Sequence, residues 1–353
     1  MQNRNLILPV AGRSRRFPNM MPKYLLEDPS GHFMLTKSIE GISPNSFDQI
    51  VIVALLEHEE RYHFSEALVR DIVEEFDADP KACKVILLEN STNSQAETVA
   101  LGIRNANISG SLLIKDCDNF FILDQSNYKD RNFLAVGNLH NEGEINAGNK
   151  SYVSIAESGV VQNIVEKHVI GNLFCAGAYY FSNVKNYISS YEKVKNIDDL
   201  YVSHVIYQSI IDGELFFTNE VKGYLDWGTK TEWKKYLRSF GAFFIDIDCC
   251  TFKNDLSAIE NESLLYKNAQ YISDIYNQGK IRIILMSSRL EKDRSKIESR
   301  LKKVGFEYSQ LILDIPGGKR VFASEINSIE SNPIAFSGDL CKQDFSAQLE
   351  LIN

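Results

Sequence analysis

Two short segments carry side chains whose chemistry suits a phosphorylated ligand. Pro9-Val10-Ala11-Gly12-Arg13-Ser14-Arg15-Arg16-Phe17, followed by Pro22-Lys23, ends an apolar run with a glycine and a cluster of cations. Glycine lets backbone N–H groups approach a triphosphate closely, and cations neutralise its charge. Arg16 and Lys23 are the leading phosphate ligands, with a solvated basic turn as the plainer alternative. Further along, Ile114-Lys115-Asp116-Cys117-Asp118-Asn119-Phe120 delivers two acids to the end of an apolar run, where open parallel sheets place their ligands. Hard carboxylate oxygens there suit Mg2+, which bridges phosphate oxygens while retaining water, although an Asx-rich turn explains the same residues. Asp226, in Tyr224-Leu225-Asp226-Trp227-Gly228-Thr229, is placed to complete the metal site.

The elements that must position these residues alternate. Apolar β-rich runs at LILPV, Ile50 to Leu55, Lys84 to Leu88 and Ser111 to Lys115 are interleaved with helical patterns at Glu57 to Phe76 and Gln95 to Ala106. That alternation predicts an α/β fold, with a mostly parallel sheet covered on both faces. From Ser151 to Phe181 strand-like segments dominate (SYVSIA, VVQNIV, FCAGAYYF), and helical patterns return at Leu200 to Ile211 and Thr229 to Leu237. After Ser239 the pattern restarts with AFFIDID, a helical stretch from Ser263 to Gln278, strand IRIILMS, helix Glu291 to Val304, strand QLIL and segment RVFAS. Two domains are therefore expected, 1–239 and 240–353.

Composition narrows the classes. With 353 residues, 44% hydrophobic and 24% charged, the chain is an ordinary globular one rather than disordered or fibrous. A net charge of −9 without a basic stripe argues against nucleic acid as a partner. The six cysteines lack a disulfide framework, the N-terminal apolar run is interrupted by Pro9, and no run approaches the ~20 residues that span a bilayer. A cytoplasmic protein with no membrane partner is expected, and a homo-oligomer is compatible with the sequence. His58 and His63, five apart on a charged helix, read as solvated; His168 follows Lys167 in a loop. Gly317-Gly318-Lys319-Arg320 lacks full Walker spacing and reads as a turn.

In order along the chain, LPVAGRSRRF with PK, STNSQAETV, IKDCDNFF, Val165-Glu166-Lys167 with Cys175-Ala176-Gly177-Ala178-Tyr179, and YLDWGT resemble the sugar-phosphate nucleotidyltransferases, the NDP-sugar pyrophosphorylase-like family. The match covers about the first two thirds of the chain. The resemblance implies a Rossmann-like three-layer domain with a mixed, mostly parallel sheet, which joins an NTP to a phosphorylated sugar or other small phosphorylated metabolite and releases pyrophosphate. It further implies that the loop Ala11, Gly12, Arg13, Ser14, Arg16 with Lys23 holds the triphosphate, that Gln95, Ala96 and Thr98 lie near the nucleotide, and that Asp118 and Asp226 bind Mg2+. Glu166 and Lys167 would face the acceptor, Lys167 holding its phosphate, and Gly177 would leave room for substrate. Two departures blur substrate identity: Ser14 replaces the usual glycine of the signature loop, and Ser94 a common glycine before the base-contacting segment. A pyrimidine nucleotide is the expectation.

Phe244-Ile245-Asp246-Ile247-Asp248 resembles the first motif of the haloacid dehalogenase-like phosphatases. That resemblance implies a smaller Rossmann-like domain with Asp246 as nucleophile, Asp248 as acid/base, both beside a second Mg2+, Ser287 as the second motif, Lys319 or Arg320 as the cation, and Glu325 as the late acid. Cys249 and Cys250 stand where the family has Gly-Thr, and Glu325 where it has aspartate, so an active phosphatase and a retained fold both remain open. By this reading the chain is a fused, bifunctional or formerly bifunctional enzyme, of the kind found in bacterial capsule precursor synthesis. The alternatives are a D-x-D glycosyltransferase, from Asp116-Cys117-Asp118, and a non-catalytic nucleotide-binding regulator.

Overall fold

The computed structural model describes residues 3–14, 16–124, 131–141, 145–247, 270–274, 276–277 and 279–317. The chain divides into two compact units, Met1–Lys234 and Lys235–Asn353. The division falls within the helix that the sequence placed just before its domain boundary.

In the first unit a sheet runs β10 (Phe216–Glu220), β6 (Asn132–Asn138), β9 (Leu173–Phe181), β4 (Ser111–Lys115), β1 (Arg4–Pro9), β2 (Gln49–Leu55) and β3 (Cys83–Leu88). Hairpin β7 (Ser151–Ile155) and β8 (Val161–Glu166) joins it through β9. Neighbours in the row β4-β1-β2-β3 are parallel, as are β10 and β6; β9 is inserted antiparallel between β6 and β4, and β7 pairs antiparallel with β8 and β9. The sheet is thus mixed and mostly parallel. Successive side chains of a strand point to opposite faces, so Leu6 and Leu8 enter one core while Ile7 enters the other. Helices α4 (Gln95–Asn105), α5 (Val184–Val194) and α6 (Val202–Ile211) cover the Ile7 face with Val99, Tyr187 and Val205. Helices α1 (Met34–Ile39) and α3 (Ser65–Phe76) cover the other with Leu35 and Leu68. The resulting three layers explain why the central strands read as unbroken apolar runs: both of their faces are buried.

Two features differ from the sequence expectation. The helical pattern from Glu57 to Phe76 is broken into α2 (Leu56–Tyr62) and α3, because His63 adopts a left-handed conformation with φ 48° that ends α2. His58, expected to be solvated, is buried, and its Nδ1 lies 3.1 Å from the Tyr24 hydroxyl. His63 is exposed.

The second unit contains a parallel sheet of β12 (Gly241–Asp246), β13 (Ile281–Met286) and β14 (Gln310–Ile312) among the described residues. Helix α8 (Arg294–Val304) and the helical residues 270–274 and 276–277 contribute Ile297, Leu301 and Ile272 to its core beside Ile283 and Leu285. Among the described residues, no helix is long and apolar enough to cross a membrane.

Candidate functional site

Parallel strands β1 and β4 are neighbours, so their carboxyl ends emerge side by side and the loops that follow them share one end of the sheet. The β1 loop turns at Ser14, whose φ of 45° is one that L side chains rarely adopt. The signature loop therefore takes its left-handed turn at the position where the resembled family has glycine. Phe17 N–H donates to Ser14 O at 2.8 Å and Lys23 N–H to Ser14 Oγ at 3.2 Å, which returns the chain toward the sheet. Lys23 Nζ then donates to Asp118 Oδ2 at 2.5 Å, and Arg16 Nη2 to the same oxygen at 3.2 Å.

Asp118 is aimed by a turn built around Lys115. This lysine is fully buried at the end of β4; its Nζ donates to Asp116 O at 2.7 Å, Asn119 O at 3.1 Å and Asn119 Oδ1 at 2.6 Å, and lies 4.5 Å from the Phe121 ring centre. Burial lowers its pKa to about 8 despite the nearby carboxylates. Gly177 on β9 closes the turn from below: its carbonyl accepts from Asp116 N–H at 2.8 Å, and a Cβ there would stand 2.5 Å from Asn119 Nδ2 and 2.7 Å from Asp116 Oδ2. With φ at 92°, the position demands glycine twice over. Its missing side chain spares the Asp116–Asn119 turn first of all, although Gly177 also lines a cavity.

A short ribbon brings in the second acid. Strand β11 (Lys222–Asp226) pairs antiparallel with β5 (Asn119–Ile122), setting Asp226 opposite Asn119, and Trp227 N–H donates to Asp118 O at 2.8 Å. Gly228 follows, where a Cβ would lie 3.0 Å from Asp226 Oδ1, 3.1 Å from Arg16 Nη1 and 3.5 Å from Asp118 Oδ2. Both carboxylates and the guanidinium therefore converge on one point. Helix α7 (Lys230–Arg238) starts there, with Thr229 Oγ1 accepting from Glu232 N–H and Glu232 Oε2 accepting from Thr229 N–H.

The electrostatics separate the two acids of the turn. Burial works against ionising Asp118, but Lys23 and Arg16 outweigh it and hold its pKa well below the carboxylate range. Asp116 is pushed upward by burial and by Asp118, while Gln95 Nε2 donates to its Oδ1 at 2.5 Å. Burial opposes the charge on Lys23 as well, yet Asp118 and its neighbours raise its pKa overall. Cys117 is pushed up to about 12 by burial and stays a thiol.

Two adjoining cavities meet at these groups. The larger, of about 610 Å³, is bounded by the β1 loop, by Ser91 to Gln95 ahead of and at the start of α4, and by Thr98. Ser94, which lines this cavity, caps that helix by accepting from Glu97 N–H at 3.1 Å. Gly12, Arg13, Ser14, Arg16, Lys23, Gln95 and Thr98 all line it, whereas Ala11 and Ala96 are buried in the core behind it. The smaller, of about 390 Å³, includes Glu166, Lys167 and Gly177. Arg16, Gln95, Asp116 and Asp118 border both.

Beside Glu166 and Lys167 the smaller cavity contains functional candidates that the sequence did not single out, among them Lys150, Ser151, Tyr201 and Ser203. Glu166 Oε2 accepts from Ser203 Oγ at 2.9 Å and from Ser151 Oγ. Lys167, held at φ 53°, donates to the Tyr201 hydroxyl, a bond that raises its pKa. Lys150 Nζ donates to Tyr224 OH at 2.5 Å and forms an ion pair with Asp226. A signal for Lys150 exists only in the β7–β8 register, which pairs Ser151 with Glu166 and so sets Lys150 beside Lys167.

In the second unit, Asp246 ends β12 opposite Met286, and Ser287 follows immediately at the end of the adjacent parallel strand β13. Ser287 is fully buried and its Oγ accepts from Arg289 N–H at 3.0 Å. Asp248, Cys249, Cys250, Lys319, Arg320, Glu325 and the segment RVFAS lie outside the described residues.

No protein-family model matches the sequence, and no curated protein does either. Solved structures do. A nucleoside-diphosphate-sugar pyrophosphorylase from Vibrio cholerae RC9 aligns over 66% of this chain and 99% of its own, at 21% identity and a TM-score of 0.56. A UDP-glucose pyrophosphorylase bound to UDP-glucose aligns over 68% and 98%, at 13% identity and a TM-score of 0.53. An inositol-1-phosphate CTP transferase from T. maritima aligns over 65% and 91%, at 14% identity and a TM-score of 0.52. Over about two thirds of its length, the chain has the α/β fold of NDP-sugar pyrophosphorylase-like nucleotidyltransferases.

Proposed function

We propose that the first unit transfers a nucleotidyl group from an NTP to the phosphate of a sugar or other small metabolite and releases pyrophosphate. The observation that carries this reading is the convergence of Arg16, Lys23, Asp118 and Asp226 where two cavities of unequal size adjoin. The larger takes the nucleotide, with Arg16 and Lys23 toward its triphosphate and the residues before α4 toward its nucleoside. The smaller takes the acceptor, with Glu166 accepting from its hydroxyls and Lys167 holding its phosphate. A pyrimidine base remains the expectation for the nucleotide.

The residues present fit a Mg2+ ion. Among the described residues no cluster of three or more His, Cys, Asp or Glu gathers, but Mg2+ in phosphoryl sites is commonly held by one or two carboxylates, with phosphates and water completing the shell. Asp118, kept ionised by its cations, and Asp226 supply that pair. When bound there, the metal would neutralise charge at the α-phosphate and on the departing pyrophosphate. An acceptor phosphate is already anionic, so the chain supplies alignment for in-line attack and positive charge rather than a general base.

The same geometry weighs against a D-x-D glycosyltransferase. Asp116 is tied to Gln95 and has its pKa raised, and of the D-x-D pair Asp118 is the acid ion-paired with Arg16 and Lys23. For the second unit we propose a haloacid dehalogenase-like phosphatase, supported by Asp246 and Ser287 at the carboxyl ends of adjacent parallel strands. Fusion of the two activities, a cytoplasmic location and a role in surface-polysaccharide precursor synthesis belong to this proposal.

A pyrophosphate-release screen of each NTP with Mg2+ against a panel of phosphorylated sugars, alcohols and amino-acid derivatives tests it. Release with a subset of acceptors, lost in Asp118→Asn protein, is expected. Silence across the panel, or release unaffected by the substitution, would overturn it.

A further inference from the structure

We propose that Lys150 is the acceptor-side counterpart of Lys23: a phosphate ligand which, before substrate arrives, is tied to the second metal-binding carboxylate. The inference rests on the nucleotidyl-transfer reading above. Its basis is a symmetry in how the two acids are held. Asp118 carries the Lys23 ammonium on the nucleotide side, and Asp226 carries the Lys150 ammonium on the acceptor side. Lys150 is only 12% exposed, Asp226 only 13%, and the ammonium also donates to Tyr224 OH and lies 5.0 Å from the centre of that ring. Its charge reaches Asp118 too, where it adds to the lowering of that carboxyl's pKa.

The backbone aims Lys150 as firmly as the side-chain contacts do. It is the residue before β7, and its carbonyl accepts from Lys167 N–H at 3.0 Å, closing the open end of the β7–β8 hairpin. One hairpin end thus presents two ammonium groups to the smaller cavity, one deep beside Asp226 and one near its rim on Tyr201. A long lysine stem can move its charge from a carboxylate to a phosphate placed beside it, and a divalent ion on Asp226 would repel the ammonium in that direction. Lys150 would then contact the acceptor phosphate or the α-phosphate as negative charge is brought together there, an interaction strongest in the transition state.

This arrangement gives removal of Lys150 two opposite effects. Without its ammonium, Asp226 binds a divalent cation with less competition, so the nucleotide-free protein should bind Mn2+ about tenfold more tightly, measured on the full chain by the loss of the free-ion paramagnetic signal. Turnover should fall about 100-fold in Lys150→Met with KM for the NTP little changed, and Lys150→Arg should recover part of the loss. Tighter Mn2+ binding joined to slower pyrophosphate release supports the inference, since a lysine that only braces the fold would weaken both. Thermal unfolding of each variant identifies misfolding, and if Lys150→Met fails to fold the same two readings on Lys150→Gln decide. An active wild type whose folded Lys150 variants keep turnover and Mn2+ affinity within about twofold overturns this inference alone. A wild type silent with every NTP and acceptor overturns the nucleotidyl-transfer reading, and this inference with it.

Discussion

Replacing Lys115 with Met is expected to change how the stability of the first unit depends on pH. Burial lowers the Lys115 pKa from 10.5 to about 8 in the folded chain. Below the folded value both states hold the proton, and the native state carries the full cost of a buried charge, about 3 kcal/mol from the size of the shift. Between the two values the unfolded chain still binds the proton that the native chain has released, so raising the pH favours folding. The neutral amine retains two N–H donors for the acceptors on Asp116 and Asn119. From about pH 8 to about pH 9.5 the wild type should therefore gain about 2 kcal/mol relative to Lys115→Met. Both tryptophans of the chain, Trp227 and Trp233, belong to the first unit and are buried, so urea unfolding followed by their fluorescence isolates it. Taking the difference between the two proteins cancels groups that titrate alike in both. A difference that stays flat across this range, or that shrinks, would show that Lys115 carries no such cost in the folded chain.

Three further outcomes are expected. Gly177→Ala combines a forbidden backbone region with a Cβ 2.5 Å from Asn119 Nδ2, and should destabilise the first unit by about 3 kcal/mol in the same fluorescence assay. Asp116→Asn should leave pyrophosphate release within about tenfold of wild type whereas Asp118→Asn lowers it by about 100-fold or more, since only Asp118 is held among the cations; equal losses would restore the D-x-D reading. Asp246→Asn should abolish release of phosphate from a generic phosphate monoester while pyrophosphate release persists, and phosphate release unchanged by the substitution would reject Asp246 as nucleophile.

The parts of this fold most legible in the sequence are those where one local rule prevails. Strands β2 and β4 are buried on both faces and so read as unbroken apolar runs, and β4 begins and ends where the run does. The meeting of Arg16 and Lys23 with Asp118 was legible because all three follow strands whose carboxyl ends lie together. What escaped depends on tertiary contacts. The break between α2 and α3 rests on a left-handed His63, and the burial of His58 on a hydroxyl contributed by Tyr24, neither of which periodicity encodes. Lys150 stands seventeen residues before Lys167 and becomes its neighbour only through the register of a hairpin. The resemblance implies that Gly177 leaves room for substrate, while the tightest constraint on it comes from the turn that carries Asp118.

We propose that one site, built on Asp118 and Asp226, joins a nucleotide to an acceptor phosphate. Phosphorus NMR of a reaction containing the wild-type chain, Mg2+, an NTP and the preferred acceptor tests it most directly. Equimolar formation of pyrophosphate and a new pyrophosphate-bridged nucleotide product is expected, both reduced by about 100-fold or more with Asp118→Asn. Orthophosphate and NDP without the bridged product, or equal product from the variant, would contradict it.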